Sequence, residues 1–174
     1  MTALFASAIL ALTVNPTAQG HDVKPADALQ QIAFLAGDWK RKQEFNTQGG
    51  AAMVGDITVK ATQAVGNRFI EELLSTTLPN RKPTDSRHYI GFDPKAQKYK
   101  AWWFNDTSNV PMQLEGSLDG NKFILLTSPN PDGTPAARTL RATYEKVSDS
   151  ELNYTLEMQT PDGWQALFHN HLKK

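Results

Sequence analysis

Over most of its length the chain alternates apolar and polar residues one by one. Leu152, Tyr154, Leu156 and Met158 interleave with Asn153, Thr155, Glu157 and Gln159, the two-residue period that sets one face of a strand in a core and the other in water. From Trp39 onward, short runs rich in Val, Ile, Thr, Tyr, Phe and Trp are cut by turn formers. These fall at Gly49-Gly50, Gly66-Asn67, Pro79 to Pro83, Asp93-Pro94, Asn105 to Asn109, Asp119-Gly120, Pro129 to Pro135, Ser148-Asp149 and Pro161-Asp162-Gly163. That punctuation predicts about ten strands joined by hairpins. One stretch differs: from Pro25 to Ala36, the apolar residues Ala28, Leu29, Ile32, Ala33, Leu35 and Ala36 recur at helical spacing, with Gly37 at the exit.

Strands with one wet face need a second layer, and consecutive hairpins remove their free edges most simply by closing on themselves. The expected fold is therefore all-β: a closed antiparallel up-and-down barrel with the N-terminal helix plugging one end. A two-sheet sandwich is the alternative. No internal repeat or low-complexity tract interrupts residues 25–174, which read as a single domain. Before them, the apolar run Leu4 to Val14, the break at Pro16 and the small residues that follow have the shape of a signal peptide over residues 1–20. Cleavage after Ala18 or Gly20 would start the mature chain near His21, and the protein is expected in the periplasm or secreted. No Lys or Arg precedes Leu4, a departure from the usual basic start. The competing reading is an apolar N-terminal helix retained in the folded protein.

Composition narrows the function classes. The chain has 174 residues, and eighteen Lys plus Arg balance eighteen Asp plus Glu, so no basic footprint for nucleic acid exists. The absence of cysteine excludes thiolate catalysis, disulfides and cysteine-ligated metal centres. No apolar run reaches the roughly 20 residues of a spanning helix. Neither a Gly-x-Ser-x-Gly elbow nor a phosphate-binding glycine loop occurs. Lone carboxylates such as Glu71, Glu72, Glu115 or Glu157 beside Arg68 or Arg141 resemble structural ion pairs more than acid–base sites. Catalysis is the less favoured reading, with no catalytic residue and no cofactor assigned.

The aromatic strand Tyr99, Trp102, Trp103, Phe104, together with Phe69, Phe92, Phe123 and Trp164, suits the wall of a barrel able to enclose a small ligand. Of the neighbours Trp102 and Trp103, one must face in and the other out. The expected ligand-binding set is Arg68, Phe69, Glu71, Tyr99, Trp103 and Arg141, with an arginine orienting an apolar or amphipathic molecule. His169 and His171 lie on one face of the last strand about 7 Å apart, close enough for a metal to bridge. A third ligand would have to be His88 or Glu71. Phe168, Asn170 and Leu172, grouped with Trp164 and Ala166, read as the buried side, which turns the two histidines to solvent.

A further set of residues occurs in order: Gly37-Asp38-Trp39 after a short helix; Gly66-Asn67-Arg68-Phe69-Ile70-Glu71-Glu72; Tyr89-Ile90-Gly91-Phe92-Asp93-Pro94; Lys98-Tyr99 with Trp102-Trp103-Phe104; and Glu115-Gly116. Over roughly residues 32–172 this resembles the bacterial family catalogued as domain of unknown function 1579. The resemblance implies a calycin-like, lipocalin-like β-barrel with a cavity, and brings no catalytic residues. Nitrobindin-type barrels are similar in architecture and bind haem through a histidine near the chain end, which would make His169 or His171 the proximal ligand. Their glycine-rich continuation is replaced here by Lys40-Arg41-Lys42-Gln43. The leading expectation is an exported barrel holding a small apolar or amphipathic ligand. A haem or metal barrel and an unliganded interaction module, which a stable dimer without co-purified ligand would favour, are the alternatives.

Overall fold

The structure, a computed structural model, describes residues 22–45, 53–106, 108–129, 136 and 138–174. The expected signal segment, the Gly49-Gly50 turn and most of the Pro129 to Pro135 turn lie outside the described residues. An α-helix, α1 (Pro25–Gln31), and a 3-10 turn (Ala33–Leu35) lead into the strands β1 (Gly37–Phe45), β2 (Met53–Ala64), β3 (Phe69–Thr77), β4 (Thr84–Asp93) and β5 (Lys98–Asn105). They continue through β6 (Met112–Asp119), β7 (Lys122–Thr127), β8 (Leu140–Lys146), β9 (Glu151–Thr160) and β10 (Gly163–Lys173). Each strand pairs antiparallel with its sequence neighbours, and β1 pairs with β10 through Lys40 and Lys173, closing the barrel. The up-and-down barrel is thus the fold, and the sandwich alternative falls.

Pro25 starts α1 where a missing amide hydrogen costs nothing. Ala28, Leu29, Ile32 and Leu35 are buried over the barrel end. Three polar ties hold this plug. Tyr99 Oη donates to the Ala28 carbonyl at 2.8 Å, Trp39 Nε1 donates to the Leu35 carbonyl at 2.8 Å, and the Gln97 amide brackets the Val23 backbone at 2.9 and 3.3 Å. Trp39 forms the barrel floor, as its position after Gly37 suggests.

The alternation predicted for β9 is observed: Leu152, Tyr154, Leu156 and Met158 face in. On β10 the expectation needs correcting. The register slips between Ala166 and Phe168, so Leu167 is an extra, exposed residue. A bulge of this kind reverses the side-chain parity. Phe168, Asn170 and Leu172 point inward, whereas Trp164 and Ala166 lie on the outer face. Interior side chains near α1, such as Trp39, Ile70, Ile90, Tyr99 and Phe123, are buried. Those toward the opposite end, including Arg41, Leu74, Met112, Tyr154, Met158 and Phe168, are half-buried. The barrel is therefore plugged at one end and accessible at the other.

Candidate functional site

Strand parity decides which polar residues enter the barrel. On β3, Ile70, Glu72 and Leu74 share the inward face, and on β4 His88, Ile90 and Phe92 do so. β1 contributes Trp39, Arg41 and Gln43. These inward polar groups form one continuous line across the interior. The Arg41 guanidinium lies 5.8 Å from the Tyr154 ring centroid, and Tyr154 and Tyr144 are 4.9 Å apart. Tyr144 Oη donates to Glu72 Oε2 at 3.1 Å, the same oxygen that meets His88 Nδ1 at 3.1 Å. The His88 ring then stacks on Trp103 with centroids 4.6 Å apart. Glu72, only 4% exposed, is thus a buried carboxylate held by two polar partners, as burial of a polar group demands.

A small cavity of about 30 Å³ opens beside this line. Its polar wall is Arg41, Glu72, His88, Tyr144 and Tyr154, and its apolar wall is Trp39, Val59, Leu74, Leu152 and Leu172. Several enclosed polar atoms of the interior have no hydrogen-bond partner: Arg41 Nε and Nη1, Gln43 Oε1, Trp103 Nε1 and Asn170 Nδ2. Burial lowers the Arg41 pKa to about 10, because removing the guanidinium from water disfavours its charged form. Burial also pushes the Tyr144 hydroxyl well above its ordinary value, and the neighbouring Glu72 adds to the shift. Tyr144 therefore keeps its proton at neutral pH and donates a hydrogen bond to Glu72.

The structure divides the expected ligand set. Tyr99 and Trp103 face the interior. Arg68 sits exposed in the turn before β3, and Phe69 packs outside the barrel over Gly91 and against Trp102. An added Cβ at Gly91 would stand 2.7 Å from the Phe69 ring, so glycine is needed for that outer packing. Glu71 is also outside, accepting from Tyr89 Oη at 2.7 Å. Arg141 makes a bidentate pair with Glu157 at 2.6 and 2.9 Å and covers Trp164 on the outer wall. The correction follows from parity: Ile70 and Ala142 take the inward positions, which turns Phe69, Glu71 and Arg141 out. Trp102 faces outward too and Trp103 inward, as their adjacency requires.

His169 and His171 lie on the outer face of β10, bonded through Nδ1 to Thr155 Oγ1 at 3.0 Å and Asn153 Oδ1 at 2.8 Å. Neither lines the cavity; His88 is the histidine that does. Among the described residues no three His, Asp or Glu side chains gather in a way that could hold a metal ion. The interior polar residues that the expected binding set left out are Arg41, Glu72, His88, Tyr144 and Tyr154. The alternations Ile70-x-Glu72-x-Leu74 and His88-x-Ile90-x-Phe92 carry the signal for Glu72 and His88, since each polar residue shares the parity of apolar ones.

Solved structures with this architecture include Rv2717c from M. tuberculosis, which is 19% identical, with a TM-score of 0.60 over 87% of this chain and 99% of that one. The likeness establishes a shared fold. No curated protein matches the sequence. The family model described as "Protein of unknown function (DUF1579)" matches residues 24–173, the helix and all ten strands; the chain belongs to the DUF1579 family.

Proposed function

We propose that the protein is a non-catalytic binding barrel that holds a small amphipathic molecule between the polar line and the apolar wall of its interior. The observation that carries this reading is the set of enclosed polar atoms without partners on Arg41, Gln43, Trp103 and Asn170. An unsatisfied buried polar group costs about 1–3 kcal/mol. Packing has no use for several of them in one barrel, whereas a ligand's polar head does.

The cavity size shapes the reading. About 30 Å³ is room for roughly two waters, far below the roughly 300–1,000 Å³ of sites that enclose drug-sized ligands. A ligand with an apolar tail must displace side chains at the open end. Met112 and Met158, both half-buried there, are side chains that adapt readily. The aromatic cavity expected from Phe69, Tyr99 and Trp103 is thus narrowed to a small polar pocket with a deformable mouth.

Native mass spectrometry of protein taken from its own compartment should show a bound mass that is lost on unfolding. Ligand addition should also change the tryptophan emission, and Trp103→Phe should remove most of that change. Absence of both a bound mass and any ligand-dependent emission would refute the reading. We further propose export, supported by the apolar leader and by the family match beginning at residue 24. The mature N-terminus should then fall between Gln19 and Asp22, and retention of Met1 would count against it.

A further inference from the structure

We propose that the ligand is a monocarboxylate whose head group pairs with Arg41, an inference that rests on the interior-binding reading above. Arg41 makes no hydrogen bond to the described residues, and two of its three guanidinium nitrogens are fully enclosed. Each bidentate edge of the guanidinium therefore contains a donor with nothing to accept from it. The contrast with Arg141 is instructive, because there the Nε and Nη2 edge is filled by both oxygens of Glu157. The same planar fork inside the barrel lacks its planar acceptor, and a carboxylate is the group that matches it.

Among the described residues no carboxylate is paired with Arg41. Glu72 engages His88 and Tyr144, and the neighbours that couple electrostatically to Arg41 are Tyr154 and Tyr144. An arriving monoanion would give the buried cation the counter-charge it lacks. The space agrees with the charge. A cavity of about 30 Å³, roughly two waters, accommodates three planar atoms. A dianionic tetrahedral group would be larger and would add a second charge near Glu72. Trp103 Nε1 and Asn170 Nδ2 are further unpartnered donors of the same interior, so donors there outnumber acceptors. The apolar tail then runs toward Met112, Met158 and Phe168 at the open end.

The test compares octanoate with octan-1-ol, equal in chain length and different in charge, by isothermal titration on wild type, Arg41→Met, Arg41→Lys and the outer-wall control Arg141→Met. Urea unfolding establishes that each variant is folded. Octanoate should bind wild type more tightly than octanol. Arg41→Met should weaken octanoate at least tenfold while leaving octanol within twofold, Arg41→Lys should fall between, and Arg141→Met should match wild type. Should Arg41→Met fail to fold, the ranking of the lysine variant and of the two probes on wild type decides the matter. Equal binding of the two probes, or equal loss of both on changing Arg41, would overturn the carboxylate assignment and leave the interior site standing. No binding of either probe at millimolar concentration would overturn both.

Discussion

Adjacent glutamates on opposite sides of one barrel wall give a sharp test of how the interior is held together. Tyr144→Phe removes the hydroxyl that donates to Glu72 Oε2 at 3.1 Å and changes nothing else in shape. Both residues are at most 5% exposed, and a hydrogen bond to a charged group is worth about 1.5–3 kcal/mol. The neighbouring cavity lets a water approach the freed oxygen, which pulls the expected loss to the lower end, about 1.5 kcal/mol. For a chain of this size that is a fall in Tm of about 3–6 °C. The matched control is Tyr89→Phe, whose hydroxyl donates to the outward Glu71 at 2.7 Å. Water replaces that bond freely, so the loss there should be about 0.5 kcal/mol. Urea unfolding followed by tryptophan emission measures both, with an unchanged m-value confirming that the same transition is compared. A loss below about 0.5 kcal/mol for Tyr144→Phe, or a loss no greater than that of Tyr89→Phe, would refute the view that Glu72 depends on Tyr144.

Gly116→Ala should destabilise by about 2 kcal/mol or more in the same assay, since its Cβ would lie 1.8 Å from the Ile124 carbonyl oxygen and a strand would have to move. Tyr99→Phe, which loses the bond to the Ala28 carbonyl, should cost about 1 kcal/mol and raise hydrogen exchange selectively in α1; uniform exchange along the chain would contradict the tie. Arg141→Ala should cost about 0.5–1 kcal/mol at neutral pH, the range for a half-exposed pair. The Arg141 hydrogen bond holds the Glu157 pKa below its ordinary value of 4.5, so that contribution is present above this pH and disappears as pH falls through the depressed value. Wild type and Arg141→Ala should therefore converge in acid, and a gap that widened would reverse the assignment.

The barrel, the helix plug and the tryptophan floor were legible because each depends on periodicity that any inward strand must show. The polar wall of the interior was harder to read. Glu71-Glu72 and Trp102-Trp103 are pairs in which one member faces in, and a two-residue period does not say which until a flanking residue such as Ile70 is assigned to the core. Arg41 lies within Lys40-Arg41-Lys42, which reads as a solvated charge run; only the positions of Trp39 and Gln43 on the same parity reveal that it points inward. The parity of Trp164 was lost at the bulge beside Leu167, because one inserted residue leaves no mark in an alternating sequence.

The seam between β1 and β10 has a consequence for how the molecule is made. All other strand pairs are hairpins between consecutive strands, so each can form as soon as its second strand leaves the ribosome. The seam alone joins strands far apart in sequence, and Lys174, just after β10, reaches back over Trp39 with its ammonium 4.5 Å from the ring. Until β10 is synthesised, the nascent protein is a curled sheet with two unpaired edges, a form that invites pairing with other chains. Closing it requires the longest loop in the molecule to shut, the step with the largest entropic cost. Strand β10 thus acts as a latch, and the conversion of an aggregation-prone sheet into a closed barrel waits for its synthesis.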